Sequence, residues 1–431
     1  MCMECYSIFK LLAGLKPSLA KQVILLAGSS LWWSTVLRAE SLQLGEAIGL
    51  AASAAQINEL SESIQQESES YLQSATALPN PSFFYERETL NGGRSLLDSR
   101  EETIGLAAPL DFIWKRGSRI EAADKRGQFS ILQIDEQRRQ ISREIAVLFV
   151  EFDANRLETD RHEAVHEALD RAKSVAQASV NAGDAAPTLL QRVDLAIARH
   201  AFEESHLQTD RLAIIGRFAA LVARNEAVPD TTYLPLETLD LQSEFQAIEA
   251  ARLNRPDLRA AEELLGWKQA EQEVMRKEGL PEVSLEAARK EDNAGRDGLF
   301  FGLAIELPIF EKNQAATGLA TARSRQAEIA YHQARRTVDA EARSSFIRWQ
   351  KLHESWLSFS TGLRVTRNAE LLLNSAETSF EAGEYSLLEY LDAVESYLEA
   401  AEQEIDLQKA LRLATIELAH VTATPIENLV K

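Results

Sequence analysis

The sequence predicts a mainly α-helical chain with a membrane β-barrel portion, built as a duplicated unit of strand, strand and long helical hairpin. Three observations predict it. Gly105-Leu106-Ala107, with Leu110 and Lys115, recurs as Gly302-Leu303-Ala304, with Leu307 and Lys312. Pro81 and Pro281 each open an extended stretch, and Ala182-Gly183-Asp184 and Ala382-Gly383-Glu384 each interrupt a helical one. Landmarks in the same order at nearly constant offset mark a duplication of roughly 180 to 200 residues, far longer than the ~20–50 residue periods of solenoids.

The amino terminus is set apart from this unit. Lys10, Lys16 and Lys21 precede an apolar run, Val23 to Leu37, that ends at Leu37-Arg38-Ala39. This is the pattern of a signal peptide over residues 1–39, and the run is shorter than the ~20 residues of a spanning helix. The cysteines, Cys2 and Cys5, both fall inside it. The exported chain, 40–431, therefore contains no cysteine to staple or to bind metal.

The first repeat is expected over 46–228. Its strands fall at about 81–90 and 101–112, joined by Asn91-Gly92-Gly93-Arg94, and its helical hairpin spans 115–228. The second repeat is expected over 246–424, with strands at about 281–291 and 298–309, joined by Asp292-Asn293-Ala294-Gly295-Arg296, and a hairpin over 312–424. Alternation supports the strands. Ile104, Leu106, Ala108 and Leu110 share a phase with Phe301, Leu303, Ile305 and Leu307, as Phe83 and Tyr85 do with Val283 and Leu285. Each strand has about the ~9–11 residues that a tilted membrane strand needs.

The helices follow from composition. Phe112 to Ala186 and Ile309 to Thr424 contain no proline and are rich in helix-forming residues. A helix from about 315 to 380 would run roughly 100 Å at ~1.5 Å per residue. Leu387, Leu391, Val394, Leu398, Ala401 and Ile405 step by four and three, the spacing of a coiled-coil seam. Gly183 and Gly383 stand where each helix would end and turn back.

Four strands cannot close a barrel, and an open sheet in lipid would leave unpaired backbone groups at both edges. Three chains giving four strands each would close a barrel of about twelve. The alternative is a soluble periplasmic scaffold in which two hairpins cap a coiled coil. A formal charge of -20 excludes a nucleic-acid partner, because phosphate binding needs a basic face.

Three further segments carry a family resemblance: Leu78-Pro79-Asn80-Pro81, Asn254-Arg255-Pro256-Asp257-Leu258-Arg259-Ala260-Ala261-Glu262, and Leu307-Pro308-Ile309-Phe310-Glu311-Lys312-Asn313-Gln314. Their order and spacing resemble the TolC-like outer membrane efflux family (outer membrane factors). The last of them, with Trp114-Lys115-Arg116-Gly117-Ser118-Arg119, resembles its heavy-metal, CzcC-like branch. The first repeat departs from this pattern, lacking the Asn-Pro expected near residue 54.

The resemblance implies a homotrimer in outer membrane lipid, with a barrel of roughly twelve strands continued by roughly twelve helices as a periplasmic tunnel. It implies a passive exit duct, without cofactor or catalysis, that works with a periplasmic adaptor and an inner-membrane RND-type pump. The cargo implied by the branch is a divalent heavy-metal cation, with drugs or organic solvents as the alternative. Within Leu387-Leu388-Glu389-Tyr390-Leu391-Asp392-Ala393, the resemblance places an acidic ring at the periplasmic gate, formed by Glu389 and Asp392. Phe380 takes the place of a gate tyrosine and Tyr385 that of a basic partner. Adaptor contact is expected at the tips, around Gly183 to Leu189 and Gly383 to Leu388, with Leu387 among the gripped residues.

His162-Glu163-Ala164-Val165-His166 matches HExxH, the zinc-protease helix motif. No third ligand is evident, since Leu169 stands where a metzincin has glycine. An isolated short motif inside a charged helix points more to surface histidines than to an enzyme.

Overall fold

The computed structural model describes residues 40–90, 99–230, 241 and 243–429. The expected signal peptide, 1–39, and the turn Asn91 to Arg94 lie outside the described residues. Among the described residues, no helix is long and apolar enough to cross a membrane.

Each repeat begins with a pair of helices that the sequence reading passed over. In the first, α1 (Leu44–Ala52) is followed by α2 (Ala55–Thr76). Strands β2 (Ser82–Leu90) and β3 (Ser99–Pro109) come next, then α3 (Phe112–Ala182) and α4 (Thr188–Leu221). The second repeat has α5 (Glu244–Asn254), α6 (Pro256–Glu278), β5 (Glu282–Asp292) and β6 (Asp297–Glu306). It ends with α7 (Gln314–Leu357), α8 (Val365–Glu381) and α9 (Leu387–Val421). β1 (Glu40–Leu42) pairs in parallel with β4 (Ala227–Pro229) beside the first helix pair.

The Asn-Pro missing near residue 54 does not change the path of the chain. Arg255, before Pro256, is extended at ψ 121°, as a residue preceding proline should be. Ala54 is extended at ψ 136° without a proline, and breaks α1 from α2 in the same way. The Asn-Arg-Pro-Asp segment has a further use: buried Arg255 pairs with Asp257 across the break and with Glu341 on α7.

α3 is continuous over 71 residues, roughly 105 Å at ~1.5 Å per residue. The equivalent stretch of the second repeat differs from the single helix expected over about 315–380. A π-helix at Ser358–Leu363 separates α7 from α8, and Arg364 adopts a left-handed conformation at φ 47°. The local sequence accounts for this. Ser358, Ser360, Thr361 and Gly362 are poor helix formers, and the Ser360 hydroxyl bonds back to the Trp356 carbonyl.

Both hairpin turns lie at the anticipated glycines. Gly183 has φ 83° and Gly383 φ 76°, the left-handed region that glycine enters without cost. Gly183 N–H donates to Val180 O, and Asp184 N–H to Ser179 O, which satisfies the last carbonyls of α3. The same pattern closes α8 through Gly383 and Glu384.

Apolar packing is spread along the rod. One cluster lies near β1, where Leu44, Ile48, Ile145, Leu148, Phe149, Phe218 and Ile416 meet, with Phe149 and Phe218 edge to face at 5.6 Å. A second lies near the hairpin turns, where Val165, Leu169, Ala172, Val193, Ala376, Leu387, Tyr390 and Val394 pack α3, α4, α8 and α9 together. Along α9 the expected seam is inward: Leu387, Val394, Leu398, Ala401 and Ile405 are buried and Leu391 packs against them.

The four long strands form one antiparallel sheet in the order β2-β3-β5-β6. It is open, so the chain by itself does not close a barrel. β3 and β6 stop at Pro109 and Glu306, short of the expected 112 and 309, because Phe112 already starts α3 and Pro308 has no N–H to donate.

Candidate functional site

The sheet has two chemically different faces. Register places Phe83 opposite Leu106, Tyr85 opposite Ile104, Leu285 opposite Leu303 and Val283 opposite Ile305, all on one face. These side chains are largely exposed, Phe301 and Leu299 by 72% and 78%. An apolar face of this extent is not a surface for water. Its charged residues gather toward one end, where Arg87 faces Glu102 at 3.8 Å and Arg289 faces Asp297 at 3.2 Å.

The other face carries Glu86, Glu88, Glu101, Glu286 and Lys290, with Lys290 paired to Glu101 at 3.1 Å. Two of its glycines make room for aromatic rings. A Cβ on Gly105 would lie 2.5 Å from the Phe84 ring, and one on Gly302 would lie 2.8 Å from the Phe300 ring. An aromatic laid over a strand glycine recovers packing that the missing side chain would otherwise give up.

Below the sheet the strands are locked to the helices by charge. Lys115, 1% exposed, reaches Asp111 at 2.8 Å, Glu278 at 3.3 Å and Glu282 at 3.3 Å. Burial alone would lower the Lys115 pKa, but the Asp111 hydrogen bond and the charges and bonds of Glu278 and Glu282 raise it. The ammonium is held charged. On the other side, Asn313 turns the chain at φ 56° and donates to the Met275 carbonyl at 2.8 Å, while Gln314 accepts from Lys312 N–H. The Glu-Lys-Asn-Gln run is thus the turn from β6 into α7.

At the hairpin tips, Ser386 caps α9. Its hydroxyl accepts from Glu389 N–H, and the Glu389 carboxylate accepts from Ser386 N–H and Oγ, each at 2.7 Å. Those bonds hold the Glu389 carboxyl below its usual pKa. Glu389 is therefore a capping residue in the single chain, whereas Asp392 is exposed. Phe380 is buried and stacks on Tyr390 at 4.9 Å and 8°, so it faces the hairpin core. Burial pushes the Tyr390 phenol up to about 12, and its hydroxyl donates to Ala168 O. Tyr385 is exposed.

The adaptor-contact residues divide. The Cα atoms of Gly183 and Gly383 face open space, and Leu189 is half-buried. Leu387 is only 3% exposed and belongs to the core, while its neighbour Leu388 is exposed by 55%. The expectation that Leu387 offers a surface grip is corrected: as the first residue of α9 it turns inward on the seam.

The HExxH residues do not build a catalytic centre. His162 approaches Glu402 at 3.4 Å, His166 approaches Asp170 and Glu204, and Glu163 is exposed. Among the described residues, no three ligating side chains converge as a preformed metal site. The sequence reading did not foresee that His162 lies against His200 of α4, ring centroids 5.7 Å apart. Burial, with His162 and Arg199 nearby, lowers the His200 pKa.

The outer membrane efflux protein family model matches residues 247–424, nearly all of the second repeat. Over 382 residues the chain is 27% identical to the cobalt-zinc-cadmium resistance protein CzcC of Cupriavidus metallidurans, covering 85% of this chain and 84% of the relative. The chain is similar to the outer membrane efflux protein family over its second repeat and to CzcC over most of its length. The outer membrane channel VceC of Vibrio cholerae superposes with a TM-score of 0.70 at 17% identity, over 88% of this chain and 95% of that one. A structure of CusC gives 0.72 at 17% identity, over 89% and 92%. This efflux protein is a channel of the outer membrane with a helical tunnel portion in the periplasm, and it is not an enzyme.

Proposed function

We propose that three copies of this chain close a barrel of about twelve strands and work as the exit duct of a tripartite efflux system for divalent heavy-metal cations. One observation carries the reading: an open four-stranded sheet with one exposed apolar face and an acidic face opposite. Unpaired edges are costly in lipid, so they require partner strands, and identical copies supply them by rotation. The acidic inner face lowers the energy of a cation in the lumen. The CzcC and CusC relatives, named for cobalt-zinc-cadmium resistance and cation efflux, favour metal over drugs or solvents. An adaptor docked at the hairpin tips and an inner-membrane pump complete the path and supply the energy. A soluble scaffold is disfavoured by the exposed apolar face.

The test is extraction from outer membranes in mild detergent, with mass by light scattering and conductance in planar bilayers. A species near three times the protomer mass that forms cation-preferring channels is expected. A monomer without conductance would sink the duct reading. Restored resistance to drugs but not to zinc, cobalt or cadmium, in cells lacking their own duct, would overturn the substrate alone.

Glu389 and Asp392 are proposed to ring the periplasmic entrance. Asp392→Asn should lower the ratio of cation to anion permeability in reconstituted channels. Glu389→Gln should do the same while also weakening the cap. Ser386→Ala separates the two effects, costing ~1 kcal/mol of stability without changing selectivity. Unaltered permeability in Asp392→Asn would remove the ring from the account.

A further inference from the structure

We propose that Lys290 sets how strongly the duct prefers cations, a role that rests on the reading above in which the acidic sheet face lines the lumen. Among the described residues, the strands turn Glu86, Glu88, Glu101, Glu286, Asp292 and Glu306 to that face, and a single cation, Lys290. The basic residues Arg87, Arg100 and Arg289 alternate onto the apolar face instead. At the two ends of the sheet, Lys115 reaches Glu282 and Arg296 reaches Asp292 from outside the strands.

Lys290 stands where carboxylates crowd. Register sets Glu101 directly opposite Glu88 on β2 and directly opposite Asp292 on β5, three like charges across neighbouring strands near the hairpin turns. Like charges in that position oppose one another. Asp292 is answered by Arg296 at 2.7 Å, and Glu101 by Lys290, whose Nζ reaches Oε1 at 3.1 Å. The same ammonium lies 5.5 Å from the centroid of the Phe300 ring, within cation–π range. Two partners thus hold the charge against the wall. The pair stays in contact with water, with side chains exposed by 42% and 38%, so mobile ions meet it. A carboxylate paired in this way presents a weaker field to a passing ion, and the ammonium repels a cation directly. Lys290 therefore restrains a cation preference that the carboxylates alone would make stronger.

Reversal potentials of the purified full chain in planar bilayers, under a KCl gradient, give the permeability ratio of K⁺ to Cl⁻. Lys290→Gln should raise that ratio at least ~2-fold and Lys290→Glu should raise it further, whereas Lys290→Arg should match the parent. Adding Glu101→Gln to Lys290→Gln should bring the ratio back toward the parent's, because both charges of one pair are then gone. These differences should shrink at ~1 M salt, where the screening length is only ~3 Å. Arg289→Gln, one residue earlier and on the apolar face, should leave the ratio unchanged. Lys290→Cys, labelled after reconstitution, keeps folding out of the comparison: a positively charged thiol reagent should lower the ratio and a negatively charged one should raise it. The parent, whose cysteines are Cys2 and Cys5, is the blank. A ratio that is unchanged in Lys290→Gln, or indifferent to the charge of the label, removes this role and leaves the duct intact. Absence of conductance in every preparation, the parent included, overturns the duct reading and this role with it.

Discussion

Leu303→Arg should remove the efflux protein from the outer membrane fraction. Leu303 sits in the middle of the outward run Leu299, Phe301, Leu303, Ile305 and Leu307, opposite Leu285. At the midplane of the lipid face proposed above, a cationic side chain costs ~2–4 kcal/mol, and in the proposed trimer the cost would recur in each copy. Little on that face could answer the charge, since Arg87, Glu102, Arg289 and Asp297 lie toward one end. Ala304→Arg is the control. It lies one residue on and faces the other way, where Glu286 and other carboxylates stand, so insertion should survive. Fractionation of membranes from expressing cells, with detergent extraction of the pellet, reads both variants. Equal loss in the two would mean that the sheet faces are not divided between lipid and lumen.

Lys115→Met should destabilise the junction between strands and helices by about 3 kcal/mol, near the lower end for breaking a buried ion pair. The methionine fills the same space but leaves Asp111 and Glu278 facing each other without a cation. Glu282 is 62% exposed and water can relieve it, so most of the penalty falls on the other two. Thermal melting of the detergent-solubilised protein measures the loss. Glu278→Gln in the same chain should recover part of it by removing the like-charge contact. An unchanged melting temperature would mean that the carboxylates are hydrated well enough to stand alone.

Much of this architecture was legible because it is local. Alternating residues mark a strand, a proline-free run of helix formers marks a helix, and Gly183 and Gly383 occupy turns that need positive φ. Other features had no local mark. Ala54 makes the break that Arg255-Pro256 makes in the other repeat, yet nothing in an alanine announces it. The interruption at Ser358–Leu363 carried only weak signals, several poor helix formers inside an otherwise strong helix. The short pairing of β1 with β4 joins segments far apart in the chain.

The candidate sites divide along the same line. Glu389 and Asp392 could be placed on one helix by counting. That Glu389 spends its carboxylate on the Ser386 cap followed from where α9 begins. Leu387 was foreseen both on the seam and at the tip, and only packing against α3 and α8 chose the seam. The paired histidines of HExxH suggested each other as partners, but neighbouring helices separate them, sending His162 to His200 and His166 to Glu204.

By itself, then, the sequence determined the duplication, the element types and order, the two-faced strands and the hairpin turns, because each depends on residues within a few positions of one another. The tertiary structure decided which face of each helix meets which neighbour, how Lys115 gathers its carboxylates, and that His162, His200 and Glu402 share one cavity. Those outcomes depend on the rotation and offset of long helices, and an offset of one residue turns a helix by about 100°, enough to exchange every partner.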